Sequence, residues 1–336
     1  MSQPRSRSFS LALAVYAAVA AVALACAPAQ TSPSGDKKSD NPEADSTGER
    51  DWAMPQGPIA TAPPVVPWGT VSKDGGNVQR LYFALTGDTR PGGCDETGKY
   101  PTETIHRILQ SMKSLHVQFG LDLGDHMFVC NGTRDDAEIQ MGHYMDAVAQ
   151  GPATFWMTLG NHECGHVYRR GPCFLGDPDV NYTTYMKALG RKYPYYATDV
   201  QTSMGLARFV FVADDAWTEH QRDWLEAVLA DADVNAKYTI VARHHPIEGN
   251  REGPKSIVWT ILKHKYSLLL TAHEHTYFHD PDALGGRSVI VGVGGGPSGK
   301  PPGFGTVLQN KDGTLTFTMR DIDGNPAGDQ WTVPPQ

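Results

Sequence analysis

Five short apolar runs in this chain of 336 residues each end in side chains able to ligate a metal or move a proton. Phe83-Ala84-Leu85-Thr86-Gly87 leads to Asp88, and Leu121-Asp122-Leu123-Gly124 leads to Asp125. Trp156-Met157-Thr158-Leu159-Gly160 leads to Asn161-His162-Glu163, Ile240-Val241-Ala242-Arg243 leads to His244-His245, and Leu268-Leu269-Leu270-Thr271-Ala272 leads to His273-Glu274-His275. In an open α/β sheet, ligands gather outside the carboxyl ends of the strands, so five such ends would bring these groups to one place. Asp88, Asp125, Asn161, His244, His273 and His275 then make a nitrogen and oxygen donor set suited to two divalent or trivalent ions. Singly, each motif has a plain alternative, since Gly-Asp is a common turn and Asn-His commonly caps a helix or closes a loop. Five in succession, each behind an apolar run, point to a metal centre. On extended backbone, His273 and His275 share one face and could reach the same centre.

The segments between these ends must position them. Strands are predicted at Gln79–Leu85, Val117–Leu123 and Ala153–Leu159, and helices at Thr102–Leu115 and Arg134–Val148. This β-α-β-α-β series indicates a layered α/β domain. Downstream, a strand pair at Tyr195–Thr198 and Leu206–Ala213 precedes a helix at Glu219–Leu229, a strand at Tyr238–Ala242, a helix at Lys255–Lys263 and a strand at Tyr266–Thr271. Ser288–Val293, Thr314–Arg320 and Gln330–Val333 read as antiparallel sheet with Gly-rich turns. The Gly292–Gly296 run opens no helix and lacks the Lys of a phosphate loop, so its glycines read as turn or close-packing residues.

Composition sets the outer bounds. Hydrophobic residues at 40% and charged residues at 20% are those of a globular chain. The formal charge of −8 becomes −10 if Arg5 and Arg7 leave with a cleaved leader, so charge offers nothing to a nucleic-acid backbone. Arg5 and Arg7 precede the apolar stretch Leu11–Ala25, which falls short of the roughly 20 residues of a membrane span and suits an export signal. Val22-Ala23-Leu24-Ala25-Cys26 resembles the lipobox of bacterial lipoproteins, with ordinary cleavage after Ala27-Pro28-Ala29 as the alternative. The chain is therefore expected to be exported, as a cell-envelope lipoprotein of the outer membrane or periplasm held to the membrane through lipid on Cys26, or else secreted. The expected organisation is a signal peptide over 1–25, a disordered tether over 26–67 that is nearly free of aliphatic residues, and one domain over 68–336. Five cysteines are an odd count for an oxidising compartment, and giving Cys26 to lipid leaves Cys94, Cys130, Cys164 and Cys173.

In order and spacing the five motifs resemble the calcineurin-like metallophosphoesterase superfamily, whose pattern runs Asp-x-His, Gly-Asp, Gly-Asn-His-Glu/Asp, His and Gly-His-x-His. The resemblance spans Leu81 to His275, and Gln221-x-x-Trp224-Leu225 looks like its phosphodiesterase and purple-acid-phosphatase branch. It implies a four-layer α/β/β/α sandwich of two mixed sheets flanked by helices. It also implies one ion (Fe, Mn or Zn) held by Asp88, Asp125 and His275 and a second held by Asp125, Asn161, His244 and His273. His162 would stand by the leaving oxygen as proton donor or charge stabiliser. Two ions about 3.5–4 Å apart lower the pKa of a shared water and neutralise a pentavalent transition state. The ligating His must be neutral, so activity should fall at acid pH. The adjacency of motif strands in the family implies a Cys94–Cys130 disulfide, and Cys164–Cys173 would close the loop after Asn161-His162.

Two departures from the pattern matter. Asp88-Thr89-Arg90 puts Arg where the family has a ligating His, and Arg, always protonated, cannot bind a metal. Arg90 is read as a bidentate clamp on substrate phosphate, with a salt-bridge partner in a one-metal site as the alternative. Phe128 stands where the purple enzymes supply Tyr, so a ferric-tyrosinate centre is not expected, and Phe128 also removes the Asp that orients the catalytic His in some members. Ala272 in place of Gly is a one-methyl change. His126 is a candidate for the missing ligand, and His245 is expected to face away or to hold a supporting position. The resulting expectation is hydrolysis of a small-molecule phosphate mono- or diester by a metal-bound hydroxide at a dinuclear site, with catalytic His162 and Arg90. The alternative is a degenerate, non-catalytic or mononuclear surface binding lipoprotein.

Overall fold

The computed structural model describes residues 68–130, 133–164, 180–247 and 255–336. The expected signal peptide, the Cys26 lipid site, the tether over 26–67 and Cys173 lie outside the described residues. In chain order the first elements are β1 (Thr70–Ser72), β2 (Gly75–Val78), β3 (Tyr82–Thr86), α1 (Thr102–Ser114), β4 (Phe119–Asp122), α2 (Arg134–Val148) and β5 (Phe155–Met157). Next come α3 (Val180–Leu189), β6 (Tyr196–Thr202), β7 (Gly205–Phe211), α4 (Glu219–Asn235), β8 (Tyr238–Ala242), α5 (Lys255–Lys263) and β9 (Leu268–Thr271). The chain ends with β10 (Tyr277–His279), β11 (Ser288–Val291), β12 (Gly303–Gln309), β13 (Leu315–Asp321) and β14 (Pro326–Val333).

These strands form two mixed sheets. One has the order β1-β2-β6-β7-β8-β9-β11-β10 and the other β14-β13-β12-β3-β4-β5. Within the first, β7, β8, β9 and β11 run parallel to one another, and within the second β3, β4 and β5 do. Parallel pairing with Thr86 opposite Asp122, and Asp122 opposite Met157, brings the ends of β3, β4 and β5 level, as Ala242 opposite Leu270 does for β8 and β9. The motif loops of each sheet thus leave from one edge.

Strand alternation builds the layers. Phe83 and Leu85 of β3, Phe119 and Leu121 of β4, and Trp156 of β5 share an inter-sheet core with Phe209 and Phe211 of β7, Ile240 and Ala242 of β8, and Leu268 and Leu270 of β9. The intervening Ala84, Val210, Val241 and Leu269 join a second core made with Ile105 and Ile108 of α1, Met141 and Tyr144 of α2, Leu225 and Val228 of α4, and Ile257 and Ile261 of α5. Period two places successive residues on opposite faces, and a sheet apolar on both faces must be covered on both. The outcome is the α/β/β/α sandwich.

Helix boundaries have local causes. Thr133 caps α2, accepting from the Asp136 amide at 3.3 Å while Asp136 accepts from the Thr133 amide at 2.9 Å. Thr218 caps α4 by accepting from the Gln221 amide at 3.1 Å, and α4 continues to Asn235, beyond the expected Leu229. The expected strand from Gln79 begins only at Tyr82. Strands β1, β2, β10 and β12 and helix α3 were not anticipated. In β12, Gly305 lies where a β-carbon would come within 2.6 Å of the Phe317 ring, so a residue that reads as a turn former is a packing requirement of the sheet.

The inter-sheet core is keyed by Phe209, whose ring meets Phe83 and Phe119 of the opposite sheet edge-on, each at 5.3 Å. Phe209→Ala should cost about 3–5 kcal/mol, from lost transfer energy plus the cavity between rigid sheets. Denaturant unfolding of the full chain would read this directly, and a loss below about 1 kcal/mol would mean that the sheets close over the gap.

Candidate metal centre

All six expected ligands converge where the two sheets meet. Asp88 follows β3, Asp125 follows β4 and Asn161 follows β5 by a few residues, while His244 follows β8 and His273 and His275 follow β9. His244 Nε2 lies 3.1 Å from Asn161 Oδ1, 3.3 Å from Asp125 Oδ1 and 3.1 Å from His273 Nδ1, and His273 Nδ1 lies 2.9 Å from Asn161 Oδ1. On the other side of Asp125, His275 Nε2 lies 3.3 Å from Asp88 Oδ1. Asp125, His244 and His273 form one group with ligand atoms within 4.8 Å of each other, and Asp88, Asp125 and His275 form a second. Asp125 is common to both.

The chain bends sharply to deliver these groups. Asp88, Asp125, His273 and His275 all have left-handed backbone, with φ of 57°, 64°, 70° and 47°. Such values cost a residue with a β-carbon roughly 1–3 kcal/mol and persist only where the surroundings over-determine them. The surroundings here are backbone hydrogen bonds: the Asp88 and Thr89 amides donate to the Gly124 and Asp125 carbonyls, each at 3.0 Å, and the His273 amide donates to Asp88 Oδ2 at 2.8 Å. The Gly292–Gly296 run supplies the rest, as close-packing residues. Gly294 and Gly296 amides donate to the Gly87 and Asp88 carbonyls, and a β-carbon on Gly292 would fall 2.3 Å from Asp88 Oδ2. The methyl of Ala272 is accommodated because its neighbour across the loops is Gly87.

Glu163 is a positioning residue that the sequence reading left without a role. Its Oε2 accepts from the Asp125 amide at 2.9 Å and the Gly160 amide at 2.7 Å, and its Oε1 accepts from the His126 amide at 2.6 Å. One buried carboxylate thereby ties the β4 loop to the β5 loop. His126 is fully buried with Nε2 2.9 Å from Asp122 Oδ1 and Nδ1 3.3 Å from Glu163 Oε1, so it is not the replacement ligand. Burial opposes its charge, yet Asp122 and Glu163 hold its pKa up to about 10. Burial likewise works to raise Glu163, but the His126 charge keeps it below the usual carboxylate value.

A second support fixes His244. Gln221, the buried polar residue of α4, accepts from the Ala213 amide at 2.8 Å and donates to the Ala213 and Ala216 carbonyls. The turn so held contains Asp214, which accepts from Arg243 Nε at 3.1 Å and from the His245 amide at 3.0 Å, gripping the residues on either side of His244. His244 Nδ1 lies 2.8 Å from the Leu123 carbonyl, which can only accept, so Nδ1 carries the proton and Nε2 faces the centre. His245 pairs with Asp215 at 2.9 Å and packs 4.2 Å from the His273 ring, a supporting position as expected.

Both expected catalytic residues border Asp125. The His162 amide donates to Asp125 Oδ1 at 3.0 Å, its Nε2 lies 3.6 Å from Asp125 Oδ2, and its backbone carbonyl is held by Asn181 of α3. Arg90 Nε donates to Asp125 Oδ2 at 3.3 Å. Phe128 organises the pair, with the guanidinium over its ring at 4.6 Å and the His162 ring against it at 4.1 Å. Burial would raise the Asp125 pKa, but the surrounding His162, His244 and Arg90 hold it well below the carboxylate range. Burial pushes His162 down to about 4, with Arg90 assisting and Asp125 opposing. His162 is therefore a neutral imidazole at pH 7, and the Asp125 charge is balanced by His244 and Arg90.

Cys94 and Cys130 form a disulfide with Cα atoms 5.8 Å apart, joining the loops after β3 and β4. The Cys164–Cys173 pairing lies outside the described residues because of Cys173.

A profile of the calcineurin-like phosphoesterase family matches residues 81–277, more than half of the chain. The chain belongs to the calcineurin-like phosphoesterases. Among solved structures, the fold of this calcineurin-like phosphoesterase is similar to a dimetal phosphatase from Danio rerio, with a TM-score of 0.52, 14% identity, and coverage of 76% of this chain and 99% of that one. It is also similar to a purple acid phosphatase from yellow lupin (Lupinus luteus) seeds, with a TM-score of 0.55, 18% identity, and coverage of 79% of this chain but 54% of that one. No curated protein matches the sequence.

Two predictions come from this site. Glu163→Gln replaces an acceptor pair by one acceptor and an amide donor, and should cost about 1–3 kcal/mol in a denaturant melt while weakening metal affinity about 10–100-fold; unchanged affinity by equilibrium dialysis would remove Glu163 from its positioning role. In the metal-free chain burial disfavours the His244 charge, but Asp125 and Asp88 outweigh it and hold the pKa up to about 10. Metal must therefore expel that proton, so affinity should rise with pH between 6 and 8 by up to about tenfold per unit. Calorimetry in buffers of different ionisation heat should find about one proton released, and pH-independent affinity would contradict the assignment.

Proposed function

We propose that this calcineurin-like phosphoesterase hydrolyses a small-molecule phosphate mono- or diester with metal as cofactor. The observation that carries this reading is the convergence of Asp125 Oδ1, Asn161 Oδ1, His244 Nε2 and His273 Nδ1 at separations of 2.9–3.3 Å around His244 and Asn161. Once the His244 proton is expelled, these four atoms can all ligate one cation, and the mixed carboxylate, amide and imidazole set suits Fe, Mn or Zn. When bound, the metal supplies Lewis acidity that activates water and offsets phosphoryl charge. Asp88, Asp125 and His275 form a second close group of candidate ligands, and Arg90 lies against two of its members.

The chain's own residues do the rest. Asn161 adds a neutral ligand oxygen, which keeps negative charge facing a phosphate to a minimum. His162 Nδ1 is buried and has no hydrogen-bond partner among the described residues, which suits a group waiting for a substrate oxygen. A phosphate dianion beside it would raise its low pKa and so let it hold the proton it delivers to the leaving oxygen. Arg90 contributes fixed positive charge. The Cys94–Cys130 disulfide and the N-terminal Arg5, Arg7 and Leu11–Ala25 pattern support export, with Cys26 as the lipid anchor.

Asp125→Asn should abolish both metal content and hydrolysis of aryl phosphate mono- and diesters, whereas His162→Ala should lower turnover by about 10²–10⁴ with metal content near wild type. Metal analysis alongside the assay separates the roles. A metal-loaded chain that cleaves neither ester class would sink the enzymatic reading.

A further inference from the structure

The two halves of the centre differ in what already satisfies them. Asp125 Oδ1, Asn161, His244 and His273 face one another with, among the described residues, no Arg or Lys side chain hydrogen-bonded between them. On the Asp88 side the lone pairs meet Arg90. Its Nε donates to Asp125 Oδ2 at 3.3 Å, its Nη2 faces His275 Nε2 at 3.0 Å, and its Nη1 donates to the Pro91 carbonyl at 3.0 Å. His275 Nδ1 lies 2.5 Å from the Pro297 carbonyl, an acceptor only, so Nδ1 carries the proton and Nε2 keeps the lone pair. That lone pair is the one a metal ion would use, and the guanidinium is on it. The guanidinium is also buried, at 8% side-chain exposure, over the Phe128 ring, a bed that favours a planar weakly hydrated cation.

We propose that Arg90 is a built-in cation filling the Asp88–Asp125–His275 half of the centre, so that the chain binds one metal ion, at Asp125, Asn161, His244 and His273, where its family arrangement would hold two. An ion entering the Asp88 half would need the same His275 nitrogen and the same Asp125 oxygen that the guanidinium holds, and would sit in contact with a like charge. Three of the five guanidinium N–H groups are engaged by Asp125, His275 and Pro91, which leaves two to meet a phosphoryl oxygen. The inference rests on the metal-dependent reading above but concerns stoichiometry, which is measured apart from turnover.

The test is the number of Zn²⁺ or Mn²⁺ ions retained per chain, by elemental analysis after equilibrium dialysis of metal-stripped full-length protein. Wild type should retain one. Arg90→Ala and Arg90→His should approach two, whereas Arg90→Lys, which keeps the charge, should stay at one. His275→Ala should leave the wild-type value at one, because His275 does not hold the retained ion. Two ions in wild type, or one ion in both Arg90→Ala and Arg90→His, or loss of the ion in His275→Ala, would each overturn the proposal. A chain that holds one ion and cleaves no phosphate ester would leave the stoichiometry standing and defeat the hydrolytic function instead.

Discussion

The buried Asp125 carboxylate accepts from the His162 amide at 3.0 Å and lies 3.3 Å from both His244 Nε2 and Arg90 Nε. A carboxylate that deep is tolerated only when charge and hydrogen bonds replace the water it has lost. Each surrounding element exists in the position that supplies one of these partners. The level ends of β3, β4 and β5 put Asp88, Asp125 and His162 on one rim, and the ends of β8 and β9 bring the imidazoles in from the other sheet. Remove the inter-sheet aromatic core and the two rims lose their registration. The packing of Phe83, Phe119 and Phe209 is in this sense part of the electrostatics of the site.

Around that carboxylate the protein invests buried charge in supports that never reach the centre. Glu163 holds backbone amides of two loops, and Asp214 holds the residues flanking His244. Both carboxylates act on peptide N–H groups, which fixes the path of the chain and leaves the ligand side chains free to face inward. His126 offsets Glu163 and Asp122 from below. Charge thus alternates outward from the site, with Arg90 beside the Asp125 carboxylate and His126 beside the supporting Glu163 and Asp122.

The candidate ligand set was legible in the sequence because each member follows a mostly apolar run, and α2, β8 and α5 have the limits expected of them, α2 because its Thr133–Asp136 capping box acts locally. The supports were not legible. A Glu after Asn-His and an Asp after Ala carry no local mark of burial, and only the meeting of loops distant in sequence shows which amides they accept from. Strand β12 was hidden by its glycines, Gly303 confined by the Arg320 carbonyl and Gly305 by the Phe317 ring on the neighbouring strand. Helix α3 has mixed polarity, and its Asn181 and Tyr185 are buried by contacts made far away in sequence. His126 adjoins the bridging Asp yet points beneath it, since a left-handed residue at Asp125 turns the next side chain away from the centre. Arg90 was recognised as the departure from the pattern, and its placement against both Asp125 and His275 needed three dimensions.

The left-handed backbone at Asp88, Asp125, His273 and His275 sets stability and chemistry against each other in a way that bears on engineering and on drift. Glycine occupies that conformation without the penalty of a β-carbon, which is roughly 1–2 kcal/mol per residue. At all four positions the change that best relaxes the main chain is also the one that erases a candidate ligand. Selection for thermal tolerance alone would therefore pull this domain towards an empty, more relaxed rim with the same two sheets. The side chains at these bends persist against that pull only while something rewards what they hold.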